Sequence, residues 1–537
     1  MTTTRPGGAF TAERPVSARP AARRPRSSQA RRQHLLDLII VAAPALLAAG
    51  LCLYDITTRS LWLDESATVA IASQHGAAFG TALAHDGGNM LGYYVLLHVL
   101  IGLFGSGAFL IRMPSALAAA ATVAIVGILA IRLFDRRAAV AAGVLAAVSL
   151  SLVYWGQDAR GYAPMIALIS ASFLALVSLL DGRPGWRAWI AYVALTAASI
   201  YAGLEAVLVV PAQLVVLLWY RDRARAVLTA VVAAALCCVP LAILAANRGS
   251  SQLFWVPPPS LRSAKQILQA LASSGLQPTF YTVTSTALLV LTLVVLGVGA
   301  GLIVRLIRNG PPRAAAGPAL MLSWLAVPGA AALLESTAGQ SVFQARYLLV
   351  SLPAVALLLG WTIADRHLPR LVAASVFVAL ITLRALQVIP AYGVSPENWR
   401  GATSYVMAHV QGGDCAAFYP LDNRMPFEYY LLSPGRAPTP VLPTLPWGQV
   451  RPFVEDYAPL SSQQLAQLPS SCRRVWLVAS HEGRVGGPPV SRANLTRFRQ
   501  LVAALRHQYP NSNTTNFGYP GAVEVTLFRG ATSHGRT

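Results

Sequence analysis

Long apolar runs separated by short polar junctions make up most of the chain up to about residue 390. A helix of roughly 20 apolar residues can cross the hydrocarbon core of a bilayer, which is about 30 Å thick. The pattern predicts a polytopic α-helical membrane protein with about 11 transmembrane helices between residues 35 and 390. The predicted crossings lie at residues 35–54, 109–131, 138–154, 162–180, 187–201, 203–220, 226–246, 281–305, 316–334, 347–363 and 370–389.

Residues 92–104 form one further apolar segment, which is too short for a full crossing. Counting it as a crossing would also place the arginines that follow residue 131 on the opposite side from the other arginine clusters. We therefore predict an interfacial or re-entrant helix here.

The composition agrees with a membrane protein. Hydrophobic residues make up 55% of the chain and charged residues only 12%, whereas a soluble globular protein has about 25% charged residues. This balance excludes a soluble enzyme, a disordered protein and a soluble repeat scaffold.

The positions of the arginines predict the orientation of the chain. The net charge is +21, from 42 basic and 21 acidic residues, a balance also found in nucleic-acid-binding proteins. Here, however, arginine clusters fall at every second junction, as the positive-inside rule requires of cytoplasmic loops. We expect no nucleic-acid partner, a plasma (inner) membrane location, a cytoplasmic N-terminus and an extracytoplasmic C-terminus. The clusters are Arg132/Arg136/Arg137, Arg183/Arg187, Arg221/Arg223/Arg225, Arg305/Arg308/Arg313 and Arg366/Arg370.

Residues 1–34 are rich in Arg, Pro, Ala and Ser and lack apolar periodicity. They predict a disordered, arginine-rich cytoplasmic tail. The first apolar run is longer than the 7–15-residue core of a signal peptide, and no small-residue cleavage site follows it. We expect this run to be retained as a membrane span.

Residues 391–537 predict an extracytoplasmic α/β domain, since they are polar and long enough for one domain core. Strand-like runs lie at residues 415–419, 475–479 and 523–528, with helix-like segments at 399–410 and 492–509. Cys415 and Cys472 are a disulfide candidate, because an oxidising compartment permits the bond. The sequence leaves the pairing open, since it cannot show that the two Cα atoms come within about 7 Å.

Asp64 and Glu65 stand side by side in the first outer loop. Residues on one helix face are three or four positions apart, so two adjacent acids have different roles. One interpretation is catalytic. The other is structural, with Asp64 capping the N-terminus of a helix that continues to Ala72.

His85, Asp86 and Asn89 surround two glycines in the same loop, a few residues before Tyr93. Glycine lets the backbone approach a ligand closely, so these four residues are candidate substrate contacts. A turn before an interfacial helix, with Tyr93 in an aromatic belt, explains the same pattern.

Two later outer junctions carry Asp158, Arg160 and Tyr162, and then Arg346 and Tyr347. The planar guanidinium fork of arginine suits a phosphate ligand, so both junctions are candidates for substrate contacts. Simpler explanations remain: Asp158 and Arg160 pair with each other, and Arg346 extends to lipid headgroups.

The chain contains no Walker A loop, no dinucleotide-binding glycine motif, no nucleophile elbow and no Cys/His spacing of a zinc site. The sequence therefore predicts no binding of a soluble nucleotide.

The order of these motifs resembles that of the C-type (GT-C) membrane glycosyltransferases. The similar branch is glycosyltransferase family 39-like and includes protein O-mannosyltransferases and lipid A aminoarabinose transferases. Many relatives carry His-Pro-Pro or Lys-Pro-Pro where this chain has His85 and the residues up to Asn89. The Ala-rich, arginine-based composition is typical of a high-GC actinobacterium. The motifs are Asp64-Glu65, Tyr93-Tyr94-x-Leu-Leu-His98, Arg112-x-Pro-Ser-Ala116, Gln157-Asp-Ala-Arg-Gly-Tyr162 and Arg346-Tyr-Leu-Leu349.

The resemblance implies an inverting transferase that acts on the outer face of the membrane. Its donor is a polyprenyl-phosphate sugar, with mannose or arabinose as the sugar, and its acceptor is a glycan, lipid or protein of the cell envelope. Asp64 is then the general base, and Glu65 supports it or lies near a metal. No cofactor follows with certainty, and a divalent metal ion is left open.

The same resemblance assigns the donor phosphate to Arg346, assisted by Arg160 or Arg112 and by Tyr347. Two other functions remain as alternatives: a transporter or lipid flippase, and a non-catalytic envelope assembly protein. A transporter favours inverted repeats and paired broken helices, which we do not find in the sequence.

Overall fold

A computed structural model describes residues 26–181, 185–248, 253, 256–276, 284–311, 313–453, 461–519 and 522–530. Up to residue 391 these residues are almost entirely helical, and a mixed α/β domain follows. The helices of the first part are α1 (Arg26–Leu53), α2 (Leu63–Ala72), α3 (Gly76–His85), α4 (Leu91–Phe104), α5 (Ala108–Leu133), α6 (Arg136–Ala147), α7 (Leu150–Gly156), α8 (Tyr162–Leu180), α9 (Trp186–Ala202), α10 (Val210–Leu214), α11 (Ala224–Cys237), α12 (Val239–Arg248), α13 (Leu261–Ala272), α14 (Ser285–Asn309), α15 (Ala316–Ala338), α16 (Leu352–Ile363) and α17 (Arg370–Ala391).

Six helices among the described residues are long and apolar enough to cross a membrane: α1, α5, α8, α14, α15 and α17. Two bent pairs, α6 with α7 and α11 with α12, raise the number to eight if each pair is one span. The chain is therefore a multi-pass membrane protein, as the apolar runs predicted. The other predicted crossings are helical but shorter, at Trp186–Ala202, Leu204–Leu218 and Tyr347–Ile363. The total of 11 crossings stays a prediction.

The start of the first membrane helix differs from the prediction, whereas the short helix α4 agrees with it. Helix α1 begins at Arg26 rather than at residue 35, so residues 26–34 are helical and do not belong to a disordered tail. Arginine and glutamine are good helix formers, which lets a membrane helix continue into the polar region. Helix α4 has 14 residues, or about 21 Å at 1.5 Å per residue, which is too short for a perpendicular crossing.

Small residues allow the membrane helices to pack closely. Gly360 of α16 lies against α6, where an added Cβ would fall 2.6 Å from the carbonyl oxygen of Ala138 and 2.7 Å from the Cβ of Ala142. Close approach of helix backbones at small residues is the usual packing mode in membranes. Deeper in the bundle, the ring of Phe173 stacks on Trp324 with centroids 3.7 Å apart.

The part of the chain after residue 391 is called the outer domain, after its predicted side of the membrane. Its elements are α18 (Trp399–His409), β1 (Asp414–Tyr419), α19 (Arg424–Tyr429), β2 (Thr439–Leu442), α20 (Ser462–Ser471), β3 (Arg474–Ala479), α21 (Pro489–Gln508), β4 (Asn511–Phe517) and β5 (Val523–Arg529). Among the described residues, the five strands form one sheet in the order β2-β1-β3-β5-β4. Strands β1, β2 and β3 are parallel, whereas β5 is antiparallel to both β3 and β4. The predicted strands correspond to β1, β3 and β5, and the predicted helices to α18 and α21.

Cys415 and Cys472 form a disulfide in the structure, with their Cα atoms 5.5 Å apart. Cys415 is in β1, and Cys472 lies just before the neighbouring strand β3. The bond therefore joins the segments that lead into two paired parallel strands.

The outer domain is anchored to the first outer loop by hydrogen bonds. The backbone N–H of Leu61 donates to the hydroxyl of Tyr430 at 2.7 Å, and the N–H of Ser60 donates to Oγ of Ser395 at 3.0 Å. Arg400 of α18 donates to the backbone carbonyl of Thr57 at 2.8 Å. These contacts hold the loop that carries Asp64 against the outer domain.

Candidate functional site

Asp64 lies in the first turn of α2, between two arginines that are distant in sequence. NH1 of Arg346 donates a hydrogen bond to its Oδ2 at 3.0 Å, and NH2 of Arg160 lies 3.9 Å from the same oxygen. The capping position of α2 belongs to Trp62, whose side chain forms no cap hydrogen bond. Asp64 is therefore not the helix cap that was the structural alternative, and its carboxylate forms ion pairs with the arginines.

The electrostatic environment of Asp64 favours its ionised form. Burial on its own raises the pKa of this carboxyl, but the charges of Arg160 and Arg346, with a smaller effect of His481, lower it. The net result is a pKa below the ordinary value for aspartate. The side chain of Asp64 keeps 29% of its surface exposed, so a ligand can reach it.

Arg160 is held in place by several groups around Asp64. Its NH1 donates to Oγ1 of Thr68 at 3.0 Å and to the hydroxyl of Tyr94 at 3.3 Å. Thr68 in turn donates to the backbone carbonyl of Asp64 at 2.9 Å, one helical turn earlier. The guanidinium is thus fixed beside the carboxylate.

Arg346 reaches the site from the short segment before α16. Its Cζ lies 5.5 Å from the centroid of the Tyr347 ring, and Tyr347 itself is buried. Tyr162, at the start of α8, lies close enough to both Arg346 and Arg160 to interact with their charges. The structure therefore brings together five of the predicted site residues: Asp64, Arg160, Tyr162, Arg346 and Tyr347.

Glu65 and Arg112 lie behind this cluster and support it. Arg112 donates from Nε and NH2 to the two carboxylate oxygens of Glu65, at 2.7 and 2.6 Å, and from NH1 to the carbonyls of Ile56 and Arg59. Neither side chain has more than 1% of its surface exposed. The donors of Arg112 are engaged with these groups, so this geometry favours a bracing role, and its contact with donor phosphate stays a prediction.

The same geometry gives Glu65 a supporting role, which is one of the two roles that the motif resemblance implied. Its carboxylate also accepts the backbone N–H of Ala159 at 2.8 Å, so it joins the first outer loop to the second. Burial raises the pKa of Glu65, and the paired Arg112 more than reverses this effect. Glu65 is an ionised structural brace that substrate cannot reach.

Asp158 is a second buried acid in this brace. Its Oδ1 accepts the indole N–H of Trp62 at 2.9 Å, whereas Arg160 turns toward Asp64, so Asp158 and Arg160 do not form the simple pair considered above. Burial and the negative charge of Glu65 raise the pKa of Asp158 well above its ordinary value. By accepting the indole N–H of Trp62, Asp158 orients the residue before α2.

Tyr93 also points into the protein interior. Its hydroxyl donates to the carbonyl of Ile111 at 3.1 Å and lies 3.1 Å from Oγ of Ser115. The side chain is 2% exposed. The hydroxyl joins α4 to α5, and a role of Tyr93 as a substrate contact stays a prediction.

The turn between α3 and α4 contains the remaining predicted substrate contacts. His85 stacks on Phe453 of the outer domain with ring centroids 4.1 Å apart. Asp86 lies close enough to Arg160 to act on its charge, and Asn89 is half-buried in the same turn. A Cβ added at Gly88 would fall 2.6 Å from Leu241. That glycine therefore allows the turn to pack against α12.

Glu397 and His481 of the outer domain also belong to this neighbourhood and were not predicted. Glu397 accepts the backbone N–H of Leu63, the residue before Asp64, at 3.0 Å. His481 lies 3.3 Å from the other oxygen of Glu397. Both come from outside the membrane region, where the sequence gives no local motif that links them to Asp64.

A metal ion finds no ready ligand set in the described residues. No group of three or more His, Cys, Asp or Glu side chains among them could hold a metal. Asp64 has two arginines as its neighbours instead. We therefore assign no step to a metal.

The fold defines a polytopic membrane protein with a mixed α/β domain after its membrane region. Residues 90–246 match the family model described as dolichyl-phosphate-mannose-protein mannosyltransferase. No curated protein matches the chain significantly. The matched segment includes α4, α5 and the Asp158–Tyr162 loop.

Solved structures of two membrane proteins share the fold. ArnT from Cupriavidus metallidurans, in the apo state, is 13% identical with a TM-score of 0.51, and the match covers 93% of this chain and 98% of ArnT. The archaeal oligosaccharyltransferase AglB from Archaeoglobus fulgidus, in complex with an inhibitory peptide and a dolichol-phosphate, is 12% identical with a TM-score of 0.52, and the match covers 92% of this chain and 74% of AglB. The resemblance to GT-C proteins predicted from the motif order is confirmed at the level of the fold.

Proposed function

We propose that this protein is an inverting glycosyltransferase that moves a sugar from a polyprenyl-phosphate donor to a hydroxyl group of a cell-envelope acceptor. The observation that carries the proposal is the carboxylate of Asp64 in contact with Arg346 and close to Arg160. A base beside two fixed cations suits a reaction in which a proton is removed and a phosphate leaves.

The proposed reaction is a single displacement at C1 of the sugar. The acceptor oxygen forms a bond to C1 while the bond between C1 and the phosphate oxygen breaks, and that electron pair remains on the polyprenyl phosphate. The acceptor proton passes to Asp64. Because the acceptor attacks the face opposite the leaving phosphate, the configuration at C1 inverts.

Arg346 and Arg160 have the role of binding the leaving phosphate. Arginine offers a planar set of donors that matches phosphate oxygens, and fixed charges in a partly dry site stabilise developing negative charge strongly. The dolichol-phosphate bound to AglB and the description of the matched family model support a polyprenyl-phosphate donor.

The lowered pKa of Asp64 is consistent with Asp64 as the base and the two arginines as the phosphate ligands. A carboxylate with a low pKa is ionised and ready to accept a proton, although it is a weak base. The phosphate of the donor is a good leaving group, so the sugar carbon becomes electron-poor as its bond breaks. The attacking hydroxyl becomes more acidic in that transition state, and a weak base is then sufficient.

The finer assignments follow the motif resemblance. We propose mannose or arabinose as the sugar and a glycan, lipid or protein of the cell envelope as the acceptor. The arginine distribution supports a cytoplasmic N-terminus, which places Asp64 and the outer domain on the extracytoplasmic face of the plasma membrane.

The test is a transfer assay with membranes that contain the full chain. Labelled polyprenyl-phosphate mannose and polyprenyl-phosphate arabinose are supplied separately, with a detergent extract of the host cell envelope as acceptor, and released polyprenyl phosphate is measured. We expect the wild type to use one of these donors and Asp64→Asn to lose activity by about 100-fold or more. The matched control is Asp55→Asn, an exposed acid of the same loop, with wild-type activity expected.

Two results contradict the proposal. Full activity of Asp64→Asn removes the carboxylate from the mechanism. Absence of transfer from either donor by correctly inserted wild-type protein favours a transporter, a lipid flippase or an envelope assembly protein.

A further inference from the structure

His481 of the outer domain lies beside the candidate active site, where it contacts the buried carboxylate of Glu397. Nε2 of His481 lies 3.3 Å from Oε1 of Glu397, and Nδ1 lies 3.1 Å from Oγ of Ser480. The other oxygen of Glu397 accepts the N–H of Leu63 at 3.0 Å and the indole N–H of Trp399 at 2.8 Å. One carboxylate thus connects His481 to the residue before Asp64.

The two members of this pair differ in exposure. The side chain of Glu397 is 6% exposed, and that of His481 is 49% exposed. Glu397 has polar partners in both domains, which accounts for a buried carboxylate. Both ring nitrogens of His481 have a polar neighbour, Glu397 and Oγ of Ser480, while about half of the side-chain surface is exposed.

The backbone at His481 is held in an unusual conformation. Its φ angle is +58°, a left-handed value that costs free energy in residues with a side chain. Asn423 fixes the preceding residue, because its Nδ2 donates to the carbonyls of Ser480 and Tyr419 at 2.9 and 2.7 Å. Strain that the surrounding structure maintains in this way is often found at ligand sites.

The position of His481 in the sheet is also typical of a ligand site. It follows β3, which is parallel to β1, so it lies at the carboxyl ends of two adjacent parallel strands. This edge is where open α/β sheets bind their ligands. Here the edge faces the first outer loop, and His481 is close enough to Asp64 to act on its charge.

We propose that His481 is a positioning residue for the acceptor, so that the outer domain forms the acceptor side of the active site. The inference rests on the proposed sugar transfer. The half-exposed imidazole contacts the incoming hydroxyl-bearing acceptor. Glu397 holds both the imidazole and the start of α2 in position. Donor binding, in contrast, depends on Arg346 and Arg160, which contact Asp64 from the membrane region of the chain.

The alternative role of His481 is that of a latch, meaning a contact that only stabilises the outer domain against the membrane region. Loss of such a latch lowers the thermal stability and changes the dependence of the transfer rate on donor and on acceptor alike. Loss of an acceptor contact changes only the dependence on acceptor, because about half of the His481 side chain is exposed. The two roles can therefore be separated by measuring donor, acceptor and stability independently.

The experiment uses the full chain in membranes, with the donor that the wild type accepts and the cell-envelope extract titrated as acceptor. For His481→Ala we expect the half-saturating amount of extract to rise about tenfold, the typical effect of losing one polar contact at a binding site. The half-saturating donor concentration and the melting temperature should stay at the wild-type values. His481→Gln keeps a donor near Glu397 and should recover part of the loss.

The control is His507→Ala, an exposed histidine at the end of α21, with no change expected. An unchanged acceptor dependence in His481→Ala overturns the inference while the sugar transfer still stands. A lower melting temperature with equal shifts for donor and acceptor assigns His481 to a latch. Absence of Asp64-dependent transfer in the wild type overturns both the inference and the proposed function.

Discussion

Arg112 and Glu65 face each other as a two-pronged ion pair beneath the candidate active site, with N–O distances of 2.7 and 2.6 Å. Glu65 also accepts the N–H of Ala159, and Arg112 also donates to carbonyls of the first outer loop. The pair therefore joins α5 to both loops that carry Asp64 and Arg160. Its contribution is to hold those loops in place.

Breaking this pair should destabilise the protein more than it changes the chemistry. Removing one partner of a buried ion pair leaves an uncompensated charge and costs about 3–5 kcal/mol. We expect Glu65→Ala or Arg112→Ala to lower the melting temperature in detergent clearly, and Glu65→Leu combined with Arg112→Met to cost less than either single change. The control is Asp37→Ala, which removes the exposed partner of Arg136 and should leave the melting temperature unchanged. Equal effects of the control and the buried variants would contradict the bracing role.

The limits of prediction from sequence at this site follow from the distances along the chain. Asp64 and Arg346 are both visible as polar residues at outer junctions, but their contact spans 282 positions. Adjacency in the sequence predicted different roles for Asp64 and Glu65, and the helix turns the first to the open cluster and the second inward. Arg112 looked available for phosphate because hydropathy does not report the carbonyls that surround it.

The fold was also predicted only in part: elements with a strong local signal were found, and one that depends on tertiary pairing was not. Apolar runs such as 109–131 predicted their helices well, because a membrane span is a strong local signal. Edge strand β4 was missed, since Asn511–Phe517 is a polar sequence with little strand propensity of its own. Its pairing with β5 comes from the tertiary structure.

Arg346 should govern donor affinity. A hydrogen bond to a charged group contributes about 1.5–3 kcal/mol, which corresponds to roughly a 10- to 100-fold change in binding. We expect Arg346→Ala to raise the half-saturating donor concentration within this range, and Arg346→Lys to recover only part because lysine lacks the planar fork. Arg262→Ala, at an exposed arginine on α13, is the matched control. An unchanged donor dependence in Arg346→Ala would count against phosphate binding.

The acidic limb of the pH profile should report the charge environment of Asp64. Transfer requires the ionised carboxylate, so the rate falls as pH decreases through the pKa of Asp64. Arg160 and Arg346 lower that pKa while burial raises it, so removing one arginine must raise it. We expect the acidic limb of kcat/KM for Arg346→Gln to lie at higher pH than in the wild type. A limb at the same or lower pH would show that Arg346 does not set the ionisation of Asp64.

The disulfide between Cys415 and Cys472 should stabilise the outer domain. The two cysteines are 57 residues apart, and closing a loop of that length in the unfolded chain stabilises the folded state by about 4 kcal/mol in the chain-entropy model. We expect Cys415→Ser with Cys472→Ser to lower the melting temperature of the full chain, and a reductant to do the same to the wild type. The reductant should have no further effect on the double variant, which is the internal control. A melting temperature that responds to neither change would mean that the bond does not constrain the unfolded domain.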